Sequence, residues 1–325
     1  MTSAVRGPQT TATLPLSVQP LRAGTEFGAE VAGVDLAESL SLALVRELGR
    51  LLLAHQVLVF RDQHLDSDQQ VRFAEQFGAV RTARQSAHFP SSHPKVHYLS
   101  TVDRQGQPTF LHPDPHSAYW HSDGSWMPTP PRATVLHAVE VSERNGDTSF
   151  ASMYELAASL SPDVRRELDE DRAVHHVELS RARRDGRWPW QWRRSNRPTF
   201  ADVRWWAHLF LGGWARGAAT HPVLRCHPET GRKTLFIGDH AWRLTGMQPL
   251  AGIRRMRELN ALAIGTLVTY THQWRTGDVV IWDNGSVLHK AEALDLSKPR
   301  VLRRCVVLRQ PPTSEPAARG THADT

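Results

Sequence analysis

Tyr119-Trp120-His121-Ser122-Asp123-Gly124-Ser125-Trp126 is the stretch around which the chain is organised. Its imidazole and carboxylate stand two residues apart. On a β-strand, side chains at i and i+2 leave the same face, so His121 and Asp123 are expected to grip one ion together. A third ligand has to come from elsewhere. The best candidate is His289, in Trp282-Asp283-Asn284-Gly285-Ser286-Val287-Leu288-His289. A second His-x-Asp, His112-Pro113-Asp114, is the poorer pair, because its proline removes a ladder donor and marks a loop. The bland alternatives are a hydrogen-bonded His–Asp pair in a polar loop and a satisfied core histidine at 289.

At 325 residues the chain is long enough to bury a substantial core, as one large domain or two small ones. Its 40% hydrophobic and 22% charged content is ordinary for a globular protein. No apolar run approaches the roughly 20 residues that span a bilayer. Met1 to Thr13 is polar and lacks the apolar centre of a signal peptide, so export is not expected. Two cysteines, Cys226 and Cys305, are too few for a disulfide framework and suit a reducing cytoplasm. The formal charge of +6 attracts either nucleic acid or small anions.

Residues 1–13 read as a disordered lead and 310–325, rich in Pro, Ala and Thr, as a loose tail, with one domain between them over 14–309. Leu16 to Val34 reads as short strands broken at Gly24, Gly28 and Gly33. Asp35-Leu36-Ala37-Glu38 has the form of a capping box, followed by Leu40, Leu44, Leu48, Leu51 and Leu52 at helical spacing to about His55. Val57 to Phe60 is a buried strand, and Asp66 or Ser67 caps a second helix that stops at Gly78. Arg81 to Gln107 is polar and reads as a loop. Arg132 to Val141 is a strand, and Asn145-Gly146 turns into another at Thr148 to Ala151. Helices are expected over Tyr154–Leu160, from Ser161-Pro162 to about Glu170, and from Pro249 to about Thr266. Pro222–Cys226 and Lys233–Gly238 form a hairpin. Val268–Trp274, Asp278–Trp282 and Arg300–Leu308 are three late strands. Residues 181–216 hold six of the eleven tryptophans, and seven arginines crowd Arg181 to Arg197; this reads as an insertion. Many short strands with glycine turns and a few outer helices predict a mainly β fold with flanking helices, a double-sheet jelly roll.

The last strand adds weight to the metal reading. Arg300 and Arg304 lie eleven and fifteen residues after His289. Arg300, Leu302, Arg304, Val306 and Leu308 share one face, apolar apart from the two guanidiniums. An inward guanidinium must meet an anion, because a buried unpaired charge is very costly. That anion is either a fixed Asp or Glu or a bound carboxylate, which the planar fork of arginine favours. Two histidines and a carboxylate on one face of a metal form the facial triad of non-haem Fe(II) oxygenases and leave three positions open.

With these residues assembled, the sequence resembles the taurine dioxygenase family, the TauD/TfdA-type Fe(II)/α-ketoglutarate-dependent dioxygenases, from about Leu16 to Leu308. The matching pieces are Val57 to Gly78, Trp120-His121-Ser122-Asp123, Gly146-Asp147-Thr148, His221-Pro222-Val223, Thr230-Gly231, Gly277-Asp278 and Trp282-Asp283-Asn284 through His289. Arg300 and Arg304 follow at the family's spacing. The resemblance implies a double-stranded β-helix of the cupin-like kind. It implies Fe(II) held by His121, Asp123 and His289, and α-ketoglutarate held at its distal carboxylate by Arg300 and the Thr148 hydroxyl. O₂ takes the remaining position, and succinate and CO₂ are released. Arg304 matches the position that holds the anionic end of the prime substrate in some members. Ser117 stands where some members place a substrate-contacting asparagine; Ser117 and Trp126 are candidate substrate contacts. A carboxylate at 123 argues against a halogenase, whose relatives carry a small residue there. Gly285, where the family often has arginine, and the insertion at 181–216 depart from the pattern. A homo-oligomer, dimer or tetramer, is what relatives suggest.

The function expected is therefore hydroxylation of an unactivated C–H in a small organic, anionic substrate, with biosynthetic tailoring of a bulky metabolite suggested by the tryptophans. Two rival readings stand beside it. One is a cupin-like binding or regulatory module with a structural metal. The other is an oxygenase acting on nucleic acid through 181–216, where arginines would track phosphates and rings stack on bases. A lid or packed segment is the better reading there, since nothing else along the chain extends a basic stripe.

Overall fold

The computed structural model describes residues 16–309 apart from 84, 87, 88, 144, 185–217 and 268. The lead at 1–13, the tail at 310–325 and nearly all of the insertion at 181–216 thus lie outside the described residues.

The chain opens with an antiparallel pair, β1 (Ser17–Pro20) and β2 (Ala29–Ala32). Helix α1 (Leu42–His55) buries Leu48, Leu51 and Leu52. Its cap is Ser41, whose hydroxyl accepts from the Leu44 amide. The capping box expected at Asp35 is instead a turn: Asp35 Oδ1 accepts from the Ala37 amide two residues on, the local bond that Asp prefers where no helix follows directly. Strand β3 (Val57–Phe60) leads to α2 (Ser67–Glu75). There Asp66 and Gln69 make a full capping box, each side chain taking the other's amide at 2.7 Å. The polar segment expected as loop contains a strand, β4 (His97–Ser100). It lies at a sheet edge, where polar side chains are tolerated and hydrophobic alternation is weak.

The core elements follow: β5 (Ala133–Val141), β6 (Thr148–Ser152), α3 (Met153–Ala158), α4 (Pro162–Leu168), β7 (Arg172–His176), α5 (Val177–Arg184), β8 (Ala218–Pro222), β9 (Leu224–Cys226), β10 (Lys233–Leu235), β11 (Ala241–Leu244), α6 (Pro249–Thr266), β12 (Thr269–His272), β13 (Val279–Asp283), β14 (Val287–Ala291) and β15 (Arg300–Val307). The hairpin of β9 and β10, helix α6 and the late strands β12, β13 and β15 lie where the pattern placed them. Strands β7, β11 and β14 were not legible from alternation.

Among the described residues, one sheet runs β1-β2-β3-β13-β5-β15-β4. Only its β2–β3 pair is parallel. A second layer holds β12-β6-β14, with β11-β7-β8 forming a further small sheet. In β3, Leu58 and Phe60 join the cluster under α1 and α2, while Val57 and Val59 join Phe150 and Val287 between the sheets. Both faces are buried, which is why the strand reads as an unbroken apolar run. The outer side of the second layer is closed by α3 and α6 through Met153, Leu156, Met256 and Leu259. The result is a mainly β jelly roll with flanking helices, and the space between its two sheets holds the site. No helix among the described residues is long and apolar enough to cross a membrane.

Candidate metal centre and substrate cavity

His121 and His289 are tied backbone to backbone. The His121 amide donates to the His289 carbonyl at 3.0 Å, and the His289 amide returns the bond at 2.8 Å. This isolated antiparallel bridge sets the imidazoles side by side, their centroids 4.2 Å apart. Asp123 does not share a strand face with His121, as the spacing suggested. The chain leaves the bridge at once and turns, with the Met127 amide bonded to the Gly124 carbonyl. The turn brings Asp123 Oδ1 to 3.8 Å from His121 Nε2 and 4.0 Å from His289 Nε2. One ligand atom from each of the three lies within 4.8 Å of the others. A His-x-Asp spacing is compatible with either strand or turn, and the outcome for the ligands is the same.

Two of the three candidate ligands, His121 and Asp123, are oriented by side-chain hydrogen bonds. His121 Nδ1 lies 2.7 Å from the Tyr119 carbonyl, which can only accept; the proton therefore sits on Nδ1 and Nε2 keeps its lone pair. Asp123 Oδ2 accepts from the Thr134 hydroxyl at 2.7 Å. Thr134 accepts in turn from Asn284 Nδ2, and Asn284 Oδ1 from Trp282 Nε1, both at 3.0 Å. Ser122 Oγ donates to the Asn284 carbonyl. Trp282 and Asn284 thereby brace the Asp123 carboxylate through Thr134. Burial alone would raise the Asp123 carboxyl, but the neighbouring His289, Arg304 and His121 together with Thr134 hold it far below its ordinary value. Burial pushes His289 down to about 3, with His121 next to it adding to the effect, so its ring is neutral and able to ligate. His289 Nδ1 is buried without a hydrogen-bond partner among the described residues. Two imidazoles and an ionised carboxylate, converging and enclosed, fit a divalent iron-type ion.

Beside this triad lies a narrow cavity of about 50 Å³. Leu99, Leu136, Trp282 and Leu302 wall it, and Arg300 and Thr148 face it. Arg300 donates to the Gly146 carbonyl at 2.7 Å, while its Nε is buried and unpartnered. Burial lowers the guanidinium only to about 10, so it stays cationic at neutral pH. Gly146 has a φ of 72°, and a Cβ there would sit 2.7 Å from Arg300 Nε. Trp274 Nε1 donates to the Thr148 hydroxyl at 3.0 Å, which leaves the Thr148 proton to donate elsewhere. Neither Trp274 nor Thr134 was singled out from the sequence; Thr134 sits on β5 and Trp274 just beyond β12, both where a packed residue is the ordinary expectation.

Arg304, His112, Pro113 and Asp114 line this cavity and also a larger one of about 550 Å³. The poorer His-x-Asp pair thus lies in the cavity wall, outside the convergent triad. Ser117 lines the narrow cavity. Trp126 stands apart from both: its ring packs edge-on against His240 at 4.6 Å, and His240 meets His121. The departure at Gly285 has a local cause. A Cβ there would collide with the His227 ring, which lies 3.0 Å from Asp283.

The family model "Taurine catabolism dioxygenase TauD, TfdA family" matches residues 17–306. The alpha-ketoglutarate-dependent 2,4-dichlorophenoxyacetate dioxygenase of Cupriavidus pinatubonensis is 32% identical over 294 residues, 87% of this chain and 94% of that protein. The (S)-phenoxypropionate/alpha-ketoglutarate-dioxygenase of Delftia acidovorans is 32% identical over 285 residues, 86% of this chain and 91% of that protein. Among solved structures, AAD-2 in complex with Mn(II) and N-oxalylglycine is similar at a TM-score of 0.72 and 26% identity, covering 93% of this chain and 99% of that one. The cofactors of such enzymes are Fe(II), α-ketoglutarate and O₂. This chain belongs to the TauD, TfdA family of α-ketoglutarate-dependent dioxygenases.

Proposed function

We propose that the protein hydroxylates an unactivated C–H of a small organic anion, with Fe(II) held by His121, Asp123 and His289. The observation that carries this reading is the convergence of those three side chains beside a narrow cavity that His121, His289 and Arg300 line. Bound there, ferrous iron with α-ketoglutarate supplies the activation of O₂, with release of succinate and CO₂.

The chain's own residues position and exclude. Arg300, with its free Nε, and the Thr148 proton receive the distal carboxylate of α-ketoglutarate. The leucine walls accept its methylenes and keep water away. Holding one end of the co-substrate fixes the angle at which its other end meets the metal. Arg304, at the junction of the two cavities, takes the anionic end of the prime substrate. The two relatives named above carry phenoxy acids in their names, which supports an anionic substrate. Regulation or binding without turnover is the weaker reading, since the curated relatives named above are dioxygenases.

The test is uncoupled turnover. Protein with Fe(II), ascorbate and α-ketoglutarate should release succinate slowly, and His121→Ala or His289→Ala should abolish it. Arg304→Ala should raise KM for the prime substrate and leave α-ketoglutarate binding intact; Arg300→Ala should do the reverse. Succinate release unaffected by either histidine variant would refute the proposal.

A further inference from the structure

We propose that the larger cavity takes a substrate with a dianionic head of phosphate or phosphonate type, gripped jointly by Arg81, Arg181 and Arg304. The proposal deepens the reading of Arg304 as an anion holder and rests on it.

The three guanidiniums come from three places in the chain: after α2, on α5 and on β15. They line one cavity of about 550 Å³ next to the metal centre. Guanidinium remains charged at any physiological pH. Arg181 Nε and Arg304 Nε are both buried with no acceptor among the described residues. The Arg81 side chain reaches Met127 Sδ at 3.6 Å, a weak acceptor that leaves its charge unmatched. Arg81 is pushed down by burial and then by the charge of Arg304, so these two cations already repel across the cavity. A fourth cation, Lys95, is matched by Glu75 at 2.5 Å.

Against the three guanidiniums the described lining offers one carboxylate, Asp114. Asp123 does not balance them once iron is bound, because its charge is then spent on the ion. Two positive charges are left over. A monoanion would match one of them and leave a partly buried cation unpaired, which is costly. A tetrahedral dianion matches both, and its three terminal oxygens offer one acceptor to each arginine.

Phenyl phosphate and phenyl sulfate test this, being alike in shape and differing by one charge above the second phosphate pKa of about 6. Calorimetric titration would use the full chain loaded with Mn(II) and α-ketoglutarate, so that no turnover is required. At about pH 8 phenyl phosphate should bind roughly tenfold tighter than phenyl sulfate. Arg181→Met should bring the two within about twofold by weakening phenyl phosphate, and Arg304→Met should weaken both. Equal affinities in the wild-type protein, binding of neither ligand, or a preference that survives Arg181→Met would each overturn the proposal. The wild-type comparison needs no variant to fold. Loss of succinate release, by contrast, would sink the assigned chemistry without touching this charge preference.

Discussion

Thr134 has no place in a list of ligands, yet the ionised state of Asp123 leans on it. Its hydroxyl gives Asp123 a proton to hold and takes one from Asn284. Thr134→Val keeps the volume and removes both bonds. Mn(II) affinity, read by calorimetry, should fall between about tenfold and a hundredfold, the range typical of such supporting partners. Gly146→Ala should act on the other half of the site. Its new methyl group would displace Arg300, so the dissociation constant of α-ketoglutarate should rise by about tenfold or more while Mn(II) binding is kept. An unchanged α-ketoglutarate affinity would mean that Arg300 is placed by its carbonyl bond alone. The convergent triad and the two arginines facing the cavities were legible in the sequence because their types are rare indoors and their spacing is short. Thr134, Trp274 and Arg181 were not. Each owes its place to neighbours brought up by the fold, and nothing in a strand threonine, a loop tryptophan or an arginine among other arginines announces them.

Strands β12, β13 and β3 meet at Asp278, a buried carboxylate that accepts from Arg61 Nη1 at 2.6 Å, the Arg275 amide at 2.8 Å and His272 Nε2 at 3.0 Å. Tyr270 OH lies 3.0 Å from His272 Nδ1 and continues the chain of bonds. Asp278→Ala would strand a buried histidine and a half-buried arginine. It should cost about 3 kcal/mol in denaturant unfolding. A loss under about 1 kcal/mol would show that water can replace the carboxylate. The elements themselves were read with uneven success. Helix α6 declares itself by the spacing of its apolar residues and strand β3 by an unbroken apolar run. Strand β4 is polar at an edge, and β7 and β14 mix histidines with apolar positions because their inner faces look onto the site or onto other histidines. Functional residues erase the alternation by which a strand is recognised.

The assembled molecule resists protons in its interior. His137 donates to the Gln63 carbonyl and accepts from Arg303, while His221 donates to the Met127 carbonyl. Burial, with Arg303 beside the first and Arg225 beside the second, pulls each from 6.5 to about 4. Unfolded, both would bind a proton below pH 6.5. Their contribution to stability is therefore complete above that pH and fades as pH falls from 6.5 towards 4. Each should add about 1.4 kcal/mol per pH unit to the slope inside this window, measurable as guanidinium midpoints at several pH values. His221→Asn should flatten the slope by one such share, and an unaltered slope would show the ring to be protonated in the native state.

The double backbone tie between residues 121 and 289 has a final consequence. It is made by main-chain atoms alone, so the placing of the donor atoms is a property of the sheet rather than of an ion. The scaffold is a finished socket, and a chelator should leave the far-ultraviolet circular dichroism unchanged while emptying the site. Such a protein would be synthesised whole and charged afterwards, letting its output follow the local supply of ferrous ion.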